Sequence, residues 1–182
     1  MLNTKEKILL YSNNLWVLGE GMFGPFLAVF TEKIGGDVLN ISWAWAIYLI
    51  TTGLLIFTIG KFSDTKKRKE KLMIWGFALN AMFTYGYLFV SSVYHLFIIQ
   101  VGLGLAAALS FPTWNALYAK YEDKKHDGYT WGLVGSEAYI AAGLAIIVGG
   151  LLINYFSFNA LFLTMGSIQL FATLYVSKIL EK

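Results

Sequence analysis

The sequence predicts an all-α membrane protein, a single bundle of six transmembrane helices occupying residues 1–182. Three observations carry that prediction. The chain is 57% hydrophobic and 17% aromatic but only 14% charged, with a mean hydropathy of +0.60, whereas a soluble domain is about a quarter charged. The charges gather in short clusters between long apolar runs, the layout expected when the bilayer is the solvent. Those runs number six, and each approaches the ~20 residues that cross the hydrocarbon core at about 1.5 Å of rise per residue.

The first span is placed at 8–30, after Lys5, Glu6 and Lys7. It lacks a small-residue cleavage site and so reads as a retained helix rather than a signal peptide. The second runs 42–60, the third 72–90, the fourth 94–119, the fifth 129–155 and the sixth 159–177. Trp43, Trp45, Tyr94 and Tyr155 fall near span ends, where aromatic residues anchor at the membrane interface. The longest polar interval is about ten residues, so no linker or soluble domain is expected and function must reside in the bundle.

Orientation follows from the basic residues. With six spans, thirteen of the fourteen lysines and arginines fall on one side, in the N-terminal segment, the second–third and fourth–fifth connections and the C-terminus; only Lys33 lies opposite. Basic loops stay cytoplasmic, so both termini are expected inside.

A faint internal repeat accompanies this topology. Asn13 precedes Pro25 by twelve residues and Gln100 precedes Pro112 by twelve, each pair enclosing a glycine-rich stretch, at an offset of 87 residues. The first and fourth spans cross in opposite directions, so the expected architecture is two inverted three-helix repeats, an arrangement common in secondary transporters. Two matching positions are equally compatible with coincidence.

Two acidic residues interrupt the apolar runs: Glu20 near the centre of the first span and Glu137 roughly two turns into the fifth. An ionisable group at bilayer depth costs about 2.5 to 3.5 kcal/mol on insertion scales, so such groups usually face a water-filled cavity and serve transport. No lysine or arginine shares their depth. Helical spacing puts Asn13, Trp16, Glu20 and Gly24 on one stripe of the first span, and Gln100, Gly104, Ala108, Phe111 and Asn115 on one stripe of the fourth. Polar and aromatic groups together suit a small organic substrate. The candidate substrate and proton pathway is Glu20, Asn13, Trp16, Gln100, Asn115, Glu137 and Tyr139. The alternative is that both glutamates are held protonated between helices, and that the amides and tryptophans only knit the helices together.

Soluble-type chemistry finds little support. Cysteine is absent, His95 and His126 lie near loops, and there is no HExxH or phosphate-binding GxxxxGKS/T pattern. Neither an enzyme nor a metal or other cofactor is expected. The short basic second–third connection lacks interleaved aromatics, so its expected neighbour is anionic lipid and not nucleic acid.

That same connection carries the most specific local pattern: Gly60, Asp64, Arg68 and Lys69, with further basic residues between them. It resembles the loop signature of the major facilitator superfamily, GxxxD followed by basic residues and a glycine, departing from it at Thr65 and Lys67. The resemblance extends at lower specificity over the whole chain. Its fourth span, with GLGLAAALSFPTWNALYAKY, is similar to the family's, but Gln100 stands where many members carry a proton-coupling arginine. Gly135, Gly143, Gly149 and Gly150 resemble the glycine-rich fifth helix of the antiporters, although Ala145 and Ile146 replace the usual Gly-Pro. The plain reading of these glycines is close helix approach.

What the resemblance implies is half of a major facilitator fold, similar to the N-terminal six-helix half of a twelve-helix member. Residues Gly60, Asp64, Arg68 and Lys69 would form a conformational latch. A lone bundle would leave Glu20 and Asn13 facing lipid, so a second six-helix half is expected, a homodimer first, with Asp64 meeting the partner's fifth span near residues 127–129. The implied function is proton-coupled secondary transport of a small-molecule substrate, by a multi-pass protein of the cell membrane. The alternatives are a truncated half that needs a separate partner and a non-transporting membrane scaffold.

Overall fold

The computed structural model describes residues 2–66, 69–122 and 124–181, apart from the side chains of residues 64–66. Among the described residues the regular structure is entirely helical: α1 (Thr4–Gly21), α2 (Leu27–Lys33), α3 (Val38–Lys66), α4 (Lys69–Gly86), α5 (Val93–Tyr121), α6 (Asp127–Tyr155) and α7 (Phe158–Ser177), with short 3₁₀ turns at Gly24–Phe26, Tyr87–Phe89 and Lys178–Leu180.

Capping chemistry moves helix ends beyond the apolar runs. α1 begins ahead of the predicted residue 8 because Asn3 and Glu6 form a capping box. The Asn3 side chain accepts from the Glu6 amide at 2.8 Å, and the Glu6 carboxylate accepts from the Asn3 amide at 2.5 Å. Ser92 caps α5 and Ser157 caps α7, accepting from the amides of His95 and Ala160.

The largest departure is in the first span. The predicted continuous helix is broken into α1, the Gly24–Phe26 turn and α2. Pro25 has no amide hydrogen to extend the α1 ladder and the flanking glycines favour a change of direction. The chain there is held by tighter bonds, Phe23 N to Glu20 O at 3.4 Å and Phe26 N to Phe23 O at 2.8 Å. Five described helical stretches are long and apolar enough to cross a membrane; the interrupted first segment is not among them. Pro112, its counterpart in the sequence repeat, lies inside an unbroken α5, where the Thr113 hydroxyl bonds the Leu109 carbonyl at 2.5 Å.

The second–third connection is also shorter than expected. α3 continues through Lys66 and α4 starts at Lys69, so residues 60–66 are helical rather than loop. Polar residues at a span end lengthen the helix because its backbone groups remain bonded as it leaves the apolar layer.

Packing follows a simple rule: α1 lies against α6 and α7, α5 lies against α3 and α4, and α4 packs on α7. Exchanging the first three spans for the last three maps this pattern onto itself, which is the inverted repeat. Two glycines permit the paired close approaches. A Cβ on Gly104 of α5 would stand 3.0 Å from the Tyr48 carbonyl oxygen of α3, and one on Gly149 of α6 would stand 2.9 Å from the Met22 carbonyl carbon at the end of α1. By contrast Gly135 and Gly143 have nothing within 4 Å of that position. Within this chain the close approach expected of the α6 glycines occurs at Gly149, while Gly135 and Gly143 leave open surface.

Buried apolar residues form two clusters at opposite ends. One joins Trp16, Phe77, Trp114 and Tyr118 near the chain termini; the other joins Phe23, Phe30, Tyr87, Phe158 and Phe162. α3 and α6 are covered least: 6% and 11% of their most apolar stretches are buried, against 61% for α5.

Candidate functional site

The apolar clusters flank a polar middle layer centred on Glu20, one residue before α1 ends. Trp16 lies one turn earlier on the same face, and its indole Nε1 donates to Glu20 Oε2 at 2.6 Å. The Tyr48 hydroxyl of α3 donates to Oε1 at 3.3 Å. Glu20 has no ion-pair partner among the described residues; its contacts are neutral donors. The Trp16 ring is fixed edge-on against Phe77 of α4, with ring centres 4.7 Å apart. Gln169 of α7, fully buried, donates to the Trp16 carbonyl at 3.1 Å.

Two cavities have Glu20 in their linings. The near chamber, toward the chain termini, has a volume of about 290 Å³ and is lined by Asn13, Trp16, Glu20, Phe111, Trp114 and Asn115, among others. The far chamber is about 60 Å³ and is bounded by Glu20, Tyr48, Asn80, Thr84, Tyr87 and Gln100, with apolar residues between. Glu20 is the one residue common to both linings. Trp114 is anchored by its Nε1 donating to the Leu9 carbonyl at 3.0 Å and by stacking on Tyr118, so the near chamber has a stiff aromatic wall.

Asn13, Trp16, Glu20 and Asn115 therefore share the near chamber, and Gln100 lines the far one together with Glu20. The α5 stripe is split: Phe111 and Asn115 line the near chamber and Gln100 the far one, while Gly104 and Ala108 are packed in helix contacts. Glu137 lies elsewhere. Its Oε2 accepts from Asn14 Nδ2 in a separate groove of about 530 Å³ between α1, α6 and α7. Tyr139 does not join either group; it is 83% exposed on the uncovered side of α6. In the latch pattern, Gly60 is helical, and Pro112 lies 3.9 Å from where its Cβ would stand. The Asp64 side chain and Arg68 lie outside the described residues, and Lys69 opens α4.

Three contributors escape the sequence reading: Tyr48, Asn80 and Gln169. Asn80 carried a usable signal, a lone amide inside the apolar third span, the same criterion that singles out Glu20. Gln169 carried the same signal inside the sixth span, whereas Tyr48 carried none, since its role depends on which face of α3 meets α1.

A family model described as Major Facilitator Superfamily matches residues 10–181. The chain belongs to the major facilitator superfamily. Among curated members of the superfamily, it is 22% identical to an uncharacterized MFS-type transporter of Methanocaldococcus jannaschii over 87% of its own length and 41% of that protein. It is 26% identical to the multidrug resistance protein MdtG of Proteus mirabilis over 92% of its length and 44% of that protein. It thus spans a little under half of these two relatives. A third, the uncharacterized MFS-type transporter YitZ of Bacillus subtilis, is 24% identical and is matched over 84% of its length by 76% of this chain. A proton-coupled antiporter flippase, LtaA, of Staphylococcus saprophyticus is 23% identical over 72% of this chain and 34% of that protein.

Proposed function

We propose that this chain is one half of a secondary active transporter that moves a small organic solute by alternating access and couples that movement to protons through Glu20. The observation that carries the proposal is the position of Glu20 as the single residue shared by two chambers on opposite sides of the bundle's middle layer. A carboxylate so placed can meet a solute from one side and exchange a proton with the other. The near chamber's aromatic walls, with the amides of Asn13 and Asn115, suit an amphipathic solute. The names of two relatives, a multidrug resistance protein and a proton-coupled antiporter flippase, agree with this reading.

A second six-span bundle completes the path, and an identical subunit is the first choice. α3 and α6 are largely uncovered, and Gly53, Gly128, Gly132, Gly135 and Gly143 on them have nothing within 4 Å of where a Cβ would stand. Such open small-residue surfaces accept close packing from another helix. The relative of nearly matching length shows that a curated member of about this size exists. In this arrangement all six spans cross the cell membrane, the interrupted first segment included, with both termini and the lysine-rich connections in the cytoplasm.

The test is reconstitution in liposomes carrying a pH-sensitive dye, with a panel of small amphipathic solutes added outside. The wild-type protein moves protons when a transported solute is present, and Glu20→Gln abolishes the movement while leaving the detergent-purified protein equally stable. A wild-type protein that moves no protons with any solute in the panel would favour a non-transporting membrane scaffold. Native mass spectrometry of the protein alone separates the assemblies: a dimer supports self-completion, a monomer a separate second half.

A further inference from the structure

The far chamber contains a side chain whose hydrogen-bonding needs the protein does not meet. Asn80 of α4 is 1% exposed, and neither its amide nitrogen nor its carbonyl oxygen has a partner among the described residues. Buried amides are almost always satisfied, by protein or by ordered water. Asn80 borders the chamber together with Glu20, Tyr48, Thr84 and Gln100. We infer that this chamber is a water site, and that Asn80 holds the water against Glu20 as a positioning residue for the proton step; the second half of the inference rests on the function proposed above.

The chemistry of Asn80 selects the occupant. Its side chain offers two donors and an acceptor, all unfilled. An inorganic cation would satisfy only the carbonyl, an anion only the amide, and an acyl chain neither. Water satisfies both. Size agrees: about 60 Å³ accommodates a few waters at the ~10–15 Å³ each requires, and the two to four polar partners a buried water needs are present. Glu20 retains accepting capacity beyond the Trp16 and Tyr48 bonds, because each carboxylate oxygen carries two lone pairs. Water between Asn80 and Glu20 would thus link α4 to the carboxylate. Release then transfers the proton from the Glu20 carboxyl oxygen to that water, leaving carboxylate and hydronium, and uptake is the reverse. The near chamber stays available to the solute.

Synchrotron radiolytic footprinting tests the water site, because radicals formed from bound water oxidise the side chains beside it even when these are buried. Met165 is 3% exposed and lines the far chamber; Met73 is fully buried and lines neither chamber. In the wild-type protein Met165 should be oxidised several-fold faster than Met73. Asn80→Leu should bring Met165 down to the Met73 rate, and Asn80→Ser, which keeps a donor and an acceptor, should preserve it. Equal wild-type rates for the two methionines would mean a dry chamber and overturn the inference without any variant having to fold. This readout needs neither solute nor proton flux, so it fails independently of the transport proposal. The positioning role is read from the pH profile of proton flux: Asn80→Leu should shift its midpoint and Asn80→Ser restore it, and an unmoved midpoint would sink that role.

Discussion

Gly149→Ala offers the sharpest test of how the bundle is built, with Gly143→Ala as its internal control. Both glycines sit in α6 with five residues between them, so substitution changes helix propensity alike, favouring alanine by about 1 kcal/mol. Their surroundings differ. At position 149 the new methyl would stand 2.9 Å from the Met22 carbonyl carbon and 3.0 Å from its Cα, and closer still to the Met22 oxygen; at 143 nothing lies within 4 Å. Met22 is backbone at the break in the first span, and it cannot move without displacing Glu20 two residues earlier. Overpacking costs typically 1–3 kcal/mol. Contact with backbone rather than a flexible side chain puts position 149 at the upper end, leaving a net loss of about 2 kcal/mol after the propensity gain. For a chain of this size that lowers the melting temperature by about 4–8 °C. Thermal unfolding of the purified protein in mild detergent, followed by size-exclusion chromatography, measures it. Gly143→Ala should hold or slightly raise the midpoint. Equal losses at both positions would refute the close α1–α6 approach at Met22.

Two further outcomes follow from the same geometry. Glu137→Gln should keep the bond from Asn14 and leave both stability and proton flux near wild type. Glu137→Leu orphans the Asn14 amide and should cost about 1–3 kcal/mol in thermal unfolding; loss of proton flux in Glu137→Gln would instead put this second acid on the proton path. If two identical bundles assemble with the latch between them, cysteines placed at positions 64 and 129 should crosslink between subunits in membranes. Crosslinks absent there, in a protein that is a dimer by mass, would count against the latch.

Hydrophobic patterning alone puts an apolar run over each of α3 to α7, because a span must contain enough consecutive apolar residues to satisfy the bilayer; the first run reads as one helix and is broken at Pro25. Glu20 was also legible, since a charge at that depth stands out against its neighbours. The repeat was visible only as Asn13, Pro25, Gln100 and Pro112; its substance, the exchange of α1 on α6 and α7 for α5 on α3 and α4, is a property of packing. Glu20 and Glu137 looked alike in the sequence, yet one bridges two chambers and the other bonds Asn14 in a side groove. Tyr139 is exposed on α6 and lines neither chamber of this bundle.

The sequence by itself determined the solvent, the helical class, the family and the residues too polar for lipid, because these follow from local composition and spacing. Tertiary structure decided which polar groups meet. Pairing Tyr48 with Glu20, enclosing Asn80 in the far chamber and seating Gln169 on the Trp16 carbonyl all require the rotation of each helix about its axis. That rotation is set by many weak contacts between side chains distant in sequence, and the apolar runs, hydrophobic on every face, give no local indication of it.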